Sequence, residues 1–123
     1  MDFESEYNID GTIQFNPQEI IDFPELIEGC TKEWQNLALC QVNDSVIRLG
    51  VIKGEFHWHK HGREDEFFYV IDGRLLIDLE GRTVQLGPRQ GFVVPKGVTH
   101  RTRAPERTVI MMVEGSTVTP TGD

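Results

Sequence analysis

From Trp34 onward the chain is a succession of short runs rich in β-branched and aromatic residues, at 34–42, 46–53, 67–71, 75–79, 82–86, 92–94 and 108–113. Turn residues separate them, and no intervening stretch has the length or period of a crossover helix. Asn43-Asp44, Asp72-Gly73 and Glu80-Gly81 are all read as hairpin chemistry. Many short strands without helices between them can bury their apolar faces only against one another. The expected fold class is therefore all-β, a sandwich or barrel.

The 123 residues suit one domain able to bury roughly two thirds of its unfolded surface. Charge divides the chain. Residues 1–33 hold nine acids and one base, Lys32, and so carry the whole net charge of −8, while the remainder is balanced. That predicts an acidic arm over 1–33, a barrel over 34–115 and a tail over 116–123. Within the arm, 1–12 lacks periodicity and reads as a flexible lead-in. Asn16-Pro17-Gln18-Glu19 resembles a helix start, with Ile20, Ile21, Phe23, Leu26 and Ile27 as the buried face of a short helix that Pro24 would break or kink. No basic run is long enough for phosphate binding, so nucleic acid is not an expected partner. No apolar stretch approaches the roughly 20 residues of a membrane span. Cys30 and Cys40, with no leader ahead of them, read as reduced thiols of a cytoplasmic protein.

All four histidines fall in two stretches, His57-Trp58-His59-Lys60-His61 and Pro95-Lys96-Gly97-Val98-Thr99-His100, with Glu66 soon after the first. In a strand, His57, His59 and His61 would share one face. Imidazoles with a nearby carboxylate make a mixed nitrogen and oxygen shell for a metal, provided the fold brings His100 alongside.

These motifs resemble those of the cupin superfamily. Gly54, His59-Lys60-His61, Glu66 and Gly73 follow the first cupin motif with the leading glycine displaced by one position. Pro95-Lys96-Gly97 and His100 follow the second, with Arg89 where a glycine usually stands and Ala104 where an asparagine can be. The segment around Trp58 to Gly73 is most similar to small single-domain bacterial cupins described as mannose-6-phosphate-isomerase-like. The resemblance implies a jelly-roll, or double-stranded β-helix, barrel that forms a homodimer. It also implies one divalent metal ion (Fe, Mn, Ni or Zn) held by His59, His61, Glu66 and His100.

Three neutral nitrogens and one carboxylate leave a net +1 on a divalent ion, with two octahedral positions open for exchange. A closed structural zinc site would use four ligands, commonly thiolates, which are absent from these positions. The expected function is a metal-dependent enzyme acting on a small oxygenated molecule by isomerase, lyase or hydrolase chemistry, or a dioxygenase if the metal is iron. The alternative is a small-molecule-binding or sensor protein without turnover. His57 is the candidate acid/base or outer-shell group, with packing as the competing role. Phe68, Val70, Leu75, Ile77 and Leu79 are expected to give the pocket an apolar lining, with Thr102 adding a hydroxyl. Trp58 is expected in the core or at a dimer interface, with Trp34 and Tyr69 also exposed there. By parity Arg48, Arg101 and Arg103 face away from the metal.

Overall fold

The computed structural model describes residues 6–122. Among the described residues there are eight strands, β1 (Ile9–Asp10), β2 (Gln35–Val42), β3 (Ser45–Glu55), β4 (Glu66–Asp72), β5 (Leu75–Leu79), β6 (Arg82–Leu86), β7 (Gly91–Val94) and β8 (His100–Gly115), and the helix α1 (Phe23–Gly29). The fold class is all-β, as expected. Strand order runs β1-β2-β3-β8-β4-β7, with β5 joined to β8 and β6 to β5. Every pairing is antiparallel except β1 with β2.

Strand β8 organises this sheet. The sequence suggests a strand over 108–113 only, whereas β8 spans sixteen residues and passes through Pro105. Proline lacks an amide donor, so it belongs in a strand only where the ladder is interrupted. The β3–β8 ladder breaks at that point, its register shifting between Ile52 and Gly54. On its other edge β8 pairs with β5 over His100–Arg103 and with β4 over Val109–Glu114. The turn at Asp72-Gly73 is consequently not a hairpin, because β4 and β5 do not pair with each other. It carries the chain from one half of β8 to the other. Gly73 takes φ +90°, and a Cβ there would stand 2.6 Å from Thr108 Oγ1. Asn43-Asp44 and Glu80-Gly81 do close two-residue hairpins, with Asn43 at φ 51° and Gly81 at φ 82°.

The helix starts later than the sequence suggests. Asn16 and Glu19 form a reciprocal turn, in which Glu19 N donates to Asn16 O at 3.2 Å and Asn16 N to Glu19 Oε1 at 2.5 Å. Gln18 at φ 72° prevents that turn from continuing as a helix. Asp22 is the true cap, accepting from Glu25 N at 3.1 Å, and Pro24 sits in the first turn where its missing N–H costs nothing. Ile20 is left 90% exposed. The acidic arm is in part packed, since Phe15, Ile21, Phe23, Leu26 and Ile27 cover the outer face formed by Leu39, Leu49, Val51 and Val109, around Cys30. Ile9–Asp10 also pairs with β2, so the lead-in is ordered there, and Asp2 and Glu4 lie outside the described residues. Both cysteines are free thiols. Among the described residues no helix is long and apolar enough to cross a membrane.

The inner core gathers Ile52, Phe56, Phe68, Val70, Leu75, Ile77, Val94 and Ile110, with Leu79 packed against it; of the apolar lining expected from alternation only Phe68 borders the cavity, and the others fill the core. On the outer surface Asp78 anchors two cations. Its carboxylate accepts from Arg103 at 2.6 and 2.9 Å, from Arg101 at 2.7 Å and from Thr83 at 2.7 Å. Those hydrogen bonds, Arg103's first, hold Asp78 well below the ordinary carboxylate range. A depressed acid stabilises the fold above its unfolded pKa of about 3.9, and that contribution fades as pH falls below it. Asp78→Asn should therefore cost about 2 kcal/mol in urea unfolding at pH 7. The difference from wild type should narrow below about pH 4, and an equal difference at pH 7 and pH 3 would contradict this account.

Candidate metal centre

The two histidine stretches are sewn together through backbone. His59 N donates to His100 O, and His100 N to His59 O, both at 2.9 Å, making one antiparallel bridge. The turn before β8 is fixed to the first stretch as well. Gly97 N donates to His61 O at 2.8 Å, with Gly97 at φ 80°, and Lys96 N donates to Asp65 Oδ1 at 2.9 Å. Residues 41 positions apart in sequence are thus set side by side by main chain, before any side chain is considered.

Their side chains converge. His59, His61, Glu66 and His100 each offer one ligand atom, and these atoms all lie within 4.8 Å of one another. The His59 ring nitrogen Nδ1 donates to His57 O at 3.0 Å, and that of His100 to Val98 O at 3.0 Å. A carbonyl can only accept, so both rings carry their proton on Nδ1 and present an Nε2 lone pair, as ligating imidazoles require. Glu66 Oε1 stands 3.4 Å from His100 Nε2 and 3.5 Å from His61 Nε2. Glu66 Oε1 and His100 Nε2 are buried and form no hydrogen bond of good geometry with each other or with other protein atoms. A cation between them would satisfy both, so the donor set fits a divalent metal.

Electrostatics agrees with that chemistry. Burial first, and the neighbouring His100 second, push His59 down to about 4, so the imidazole is neutral at physiological pH. Burial alone would raise Glu66, but the polar groups around it, the imidazoles of His100 and His61 first, outweigh burial and hold the carboxylate well below its ordinary range. Its cross-strand partner on β8 is Glu114, and both side chains line the same cavity. Burial and the adjacent Glu66 push Glu114 up to about 10, so the proton of the pair resides there.

Glu114 also corrects the reading of Arg48. That arginine is buried, 6% exposed, with Nε 2.5 Å from Glu114 Oε1. It lies on the face of β3 that carries Gly50 and Ile52 into the cavity wall. Counting alternation back from the histidines crosses the β3 irregularity between Ile52 and Gly54, and one irregular step reverses the face. Arg101 and Arg103 do point away from the metal cluster, toward Asp78. Arg89 departs from the motif in residue type only. It adopts φ 66°, the left-handed conformation that a glycine would take without strain.

Beside His59 and Glu66 lies a cavity offering water about 30 Å³, room for a couple of molecules. Its wall includes Trp34, Phe56, Phe68 and Ile110, with Asn36, Thr102 and Glu114 as the polar members, and Pro120 across it. Trp34 is buried rather than an exposed aromatic, whereas Trp58 is 46% exposed, with the Arg101 guanidinium 5.3 Å from its ring centroid. His57 stands beside the group, not within it. Its ring centroid is 5.4 Å from that of His59, it stacks on Phe56, and Nε2–H donates to Thr121 O at 2.7 Å. The segment carrying Pro120 and Thr121 is tied down by Thr117 Oγ1 to Glu64 Oε2 at 3.2 Å, and Gly122 lies against His59. Sequence reasoning missed Glu114, Asn36 and this covering segment, for which no motif gives a signal.

Comparison with known proteins gives the same picture. Residues 48–114 match the Cupin_2 family model, described as a cupin domain. An uncharacterized protein of Bacillus subtilis (strain 168), YdbB, is 44% identical over 80 residues, covering 64% of this chain and 71% of that protein. The polyketide synthase CurC of Streptomyces cyaneus is 44% identical over 75 residues, covering 61% of this chain but only 42% of that protein. Among solved structures, a cupin-2 domain containing protein from Shewanella frigidimarina superposes with TM-score 0.75 at 32% identity, covering 78% of this chain and 94% of that one. KdgF from Halomonas sp. superposes with TM-score 0.64 at 20% identity, covering 87% and 96%, a likeness of fold alone.

Two measurements test the site. Followed by proton NMR without added metal, the His59 ring should remain neutral until a midpoint near pH 4, and a midpoint near 6.5 would refute its burial. Because the folded value lies below the unfolded one, stability tied to His59 should be lost as pH falls from about 6.5. Arg89→Gly should raise unfolding stability by about 0.5–1 kcal/mol by relieving the left-handed strain, and a loss of that size in a denaturation curve would contradict this.

Proposed function

The chain belongs to the cupin family, and from that premise we propose that it is a metal-dependent enzyme acting on a small oxygenated molecule. The observation that carries this reading is the donor set of His59, His61, Glu66 and His100, preorganised beside a mainly apolar cavity. One divalent ion, Fe, Mn, Ni or Zn, would supply Lewis acidity for isomerase, lyase or hydrolase chemistry, or dioxygen chemistry if it is iron. The chain's own contribution is to turn the Nε2 lone pairs of His59 and His100 inward by hydrogen-bonding their Nδ1–H groups, keep Glu66 anionic and exclude bulk water with Phe56, Phe68 and Pro120. His57 is the acid/base candidate in this reading. Its Nε2–H is held by the Thr121 carbonyl, so it becomes available to substrate when that bond opens.

A second reading, a binding or sensor protein without turnover, is favoured by the same bond and by the small size of the cavity. Either form is proposed to act as a homodimer in the cytoplasm, without nucleic acid or membrane partners.

Metal content of untagged protein, measured by plasma mass spectrometry, decides between a metal site and none. Near-stoichiometric metal is expected in wild type and its loss in the His59→Ala/His100→Ala double variant. Wild type that is metal-free and takes up no added ion would remove the metalloenzyme reading.

A further inference from the structure

The structure assigns Arg48 and Glu114 a part that neither histidine motif contains: we propose that they are a positioning pair that fixes the orientation in which Glu66 meets the metal. The inference rests on the metal reading above and deepens it. Three neighbouring strands contribute one ionisable residue each, Glu66 from β4, Glu114 from β8 and Arg48 from β3. Glu66 and Glu114 are direct cross-strand partners. Glu114 pairs in register with Val46, so Arg48, two residues farther along β3 and on the same face, reaches it along the diagonal. All three are buried, at 5%, 3% and 6% exposure, so this is an internal row of ionisable groups leading away from the metal cluster.

Glu114 itself is not one of the grouped ligands. Two carboxyl groups side by side in the interior would turn away from each other unless something held the second one. Arg48 does so, because its Nε–H anchors Glu114 Oε1. Glu114 is thereby kept on the cavity side of the sheet, next to its cross-strand partner Glu66, where it limits the rotamers open to that ligand. Partners of this kind behind a ligating carboxylate typically alter metal affinity about 10–100-fold when removed.

Positioning and simple charge make opposite predictions. Removing a buried cation near a metal ion should tighten metal binding on Coulombic grounds alone. If Arg48 acts by orienting Glu114 and Glu66, its removal should weaken binding instead. The test uses full-length protein, cobalt(II) as the probe, affinity by chelator competition and the visible cobalt spectrum as a report of ligand geometry. Arg48→Met and Glu114→Leu should each weaken cobalt binding about 10–100-fold and change the spectrum. Glu114→Gln keeps the shape and can still accept from Arg48, so it should stay within about threefold of wild type. Should Glu114→Leu fail to fold, Glu114→Asp, one methylene too short to reach Glu66, carries the same expectation. Unchanged or tighter binding in Arg48→Met and Glu114→Leu, with the wild-type spectrum, would overturn the positioning role while leaving the metal centre intact. Wild type that takes up no cobalt would overturn the centre and the pair with it.

Discussion

A strand sixteen residues long carries more backbone donors and acceptors than one short neighbour can satisfy, and β8 distributes them over β3, β4 and β5. The first residue of β8 closes the bridge to His59, and its penultimate residue, Glu114, faces Glu66. The metal cluster is therefore assembled from both ends of one strand, with β4 and the 57–61 segment drawn in by main-chain bonds. Because amide hydrogen bonds are indifferent to side-chain identity, this framework can tolerate change around the site while holding the ligand positions.

Burial sets the character of that site. Glu66, His61 and His100 are each at most 5% exposed, a condition that an isolated carboxylate would not accept. The imidazole contacts and the row through Glu114 to Arg48 make it acceptable, so ligand placement and charge compensation are solved by one arrangement. Pairs of this kind cost as much in desolvation as they return in attraction, which makes specificity of geometry a better account of them than stability.

Much of this was legible in the sequence for identifiable reasons. The four ligands lie in local motifs, and the turn at Pro95-Lys96-Gly97 is dictated by residue type. Alternation within an unbroken strand correctly placed Phe68, Val70, Leu75 and Ile77 inside. Alternation failed across irregularities, reversing Arg48, and residue chemistry alone could not tell a hairpin at Asp72-Gly73 from a passage between two strands. The helix at Asp22 was obscured because Asn16-Pro17 offers an equally good start until the backbone of Gln18 turns left-handed. Pro105 hid the first half of β8, since the interruption that tolerates it belongs to another strand. Glu114 went unseen because its importance comes from pairing 48 residues away, which no local pattern encodes.

The segment that crosses the cavity has a kinetic consequence. With Pro120 in the wall and Thr121 fastened to His57, a ligand too large to pass beside this stretch must wait for it to lift before it can enter the cavity. Entry then becomes a first-order event set by the chain itself. Its observed rate would level off as ligand concentration rises, and metal and organic ligand would arrive in the order that successive openings permit.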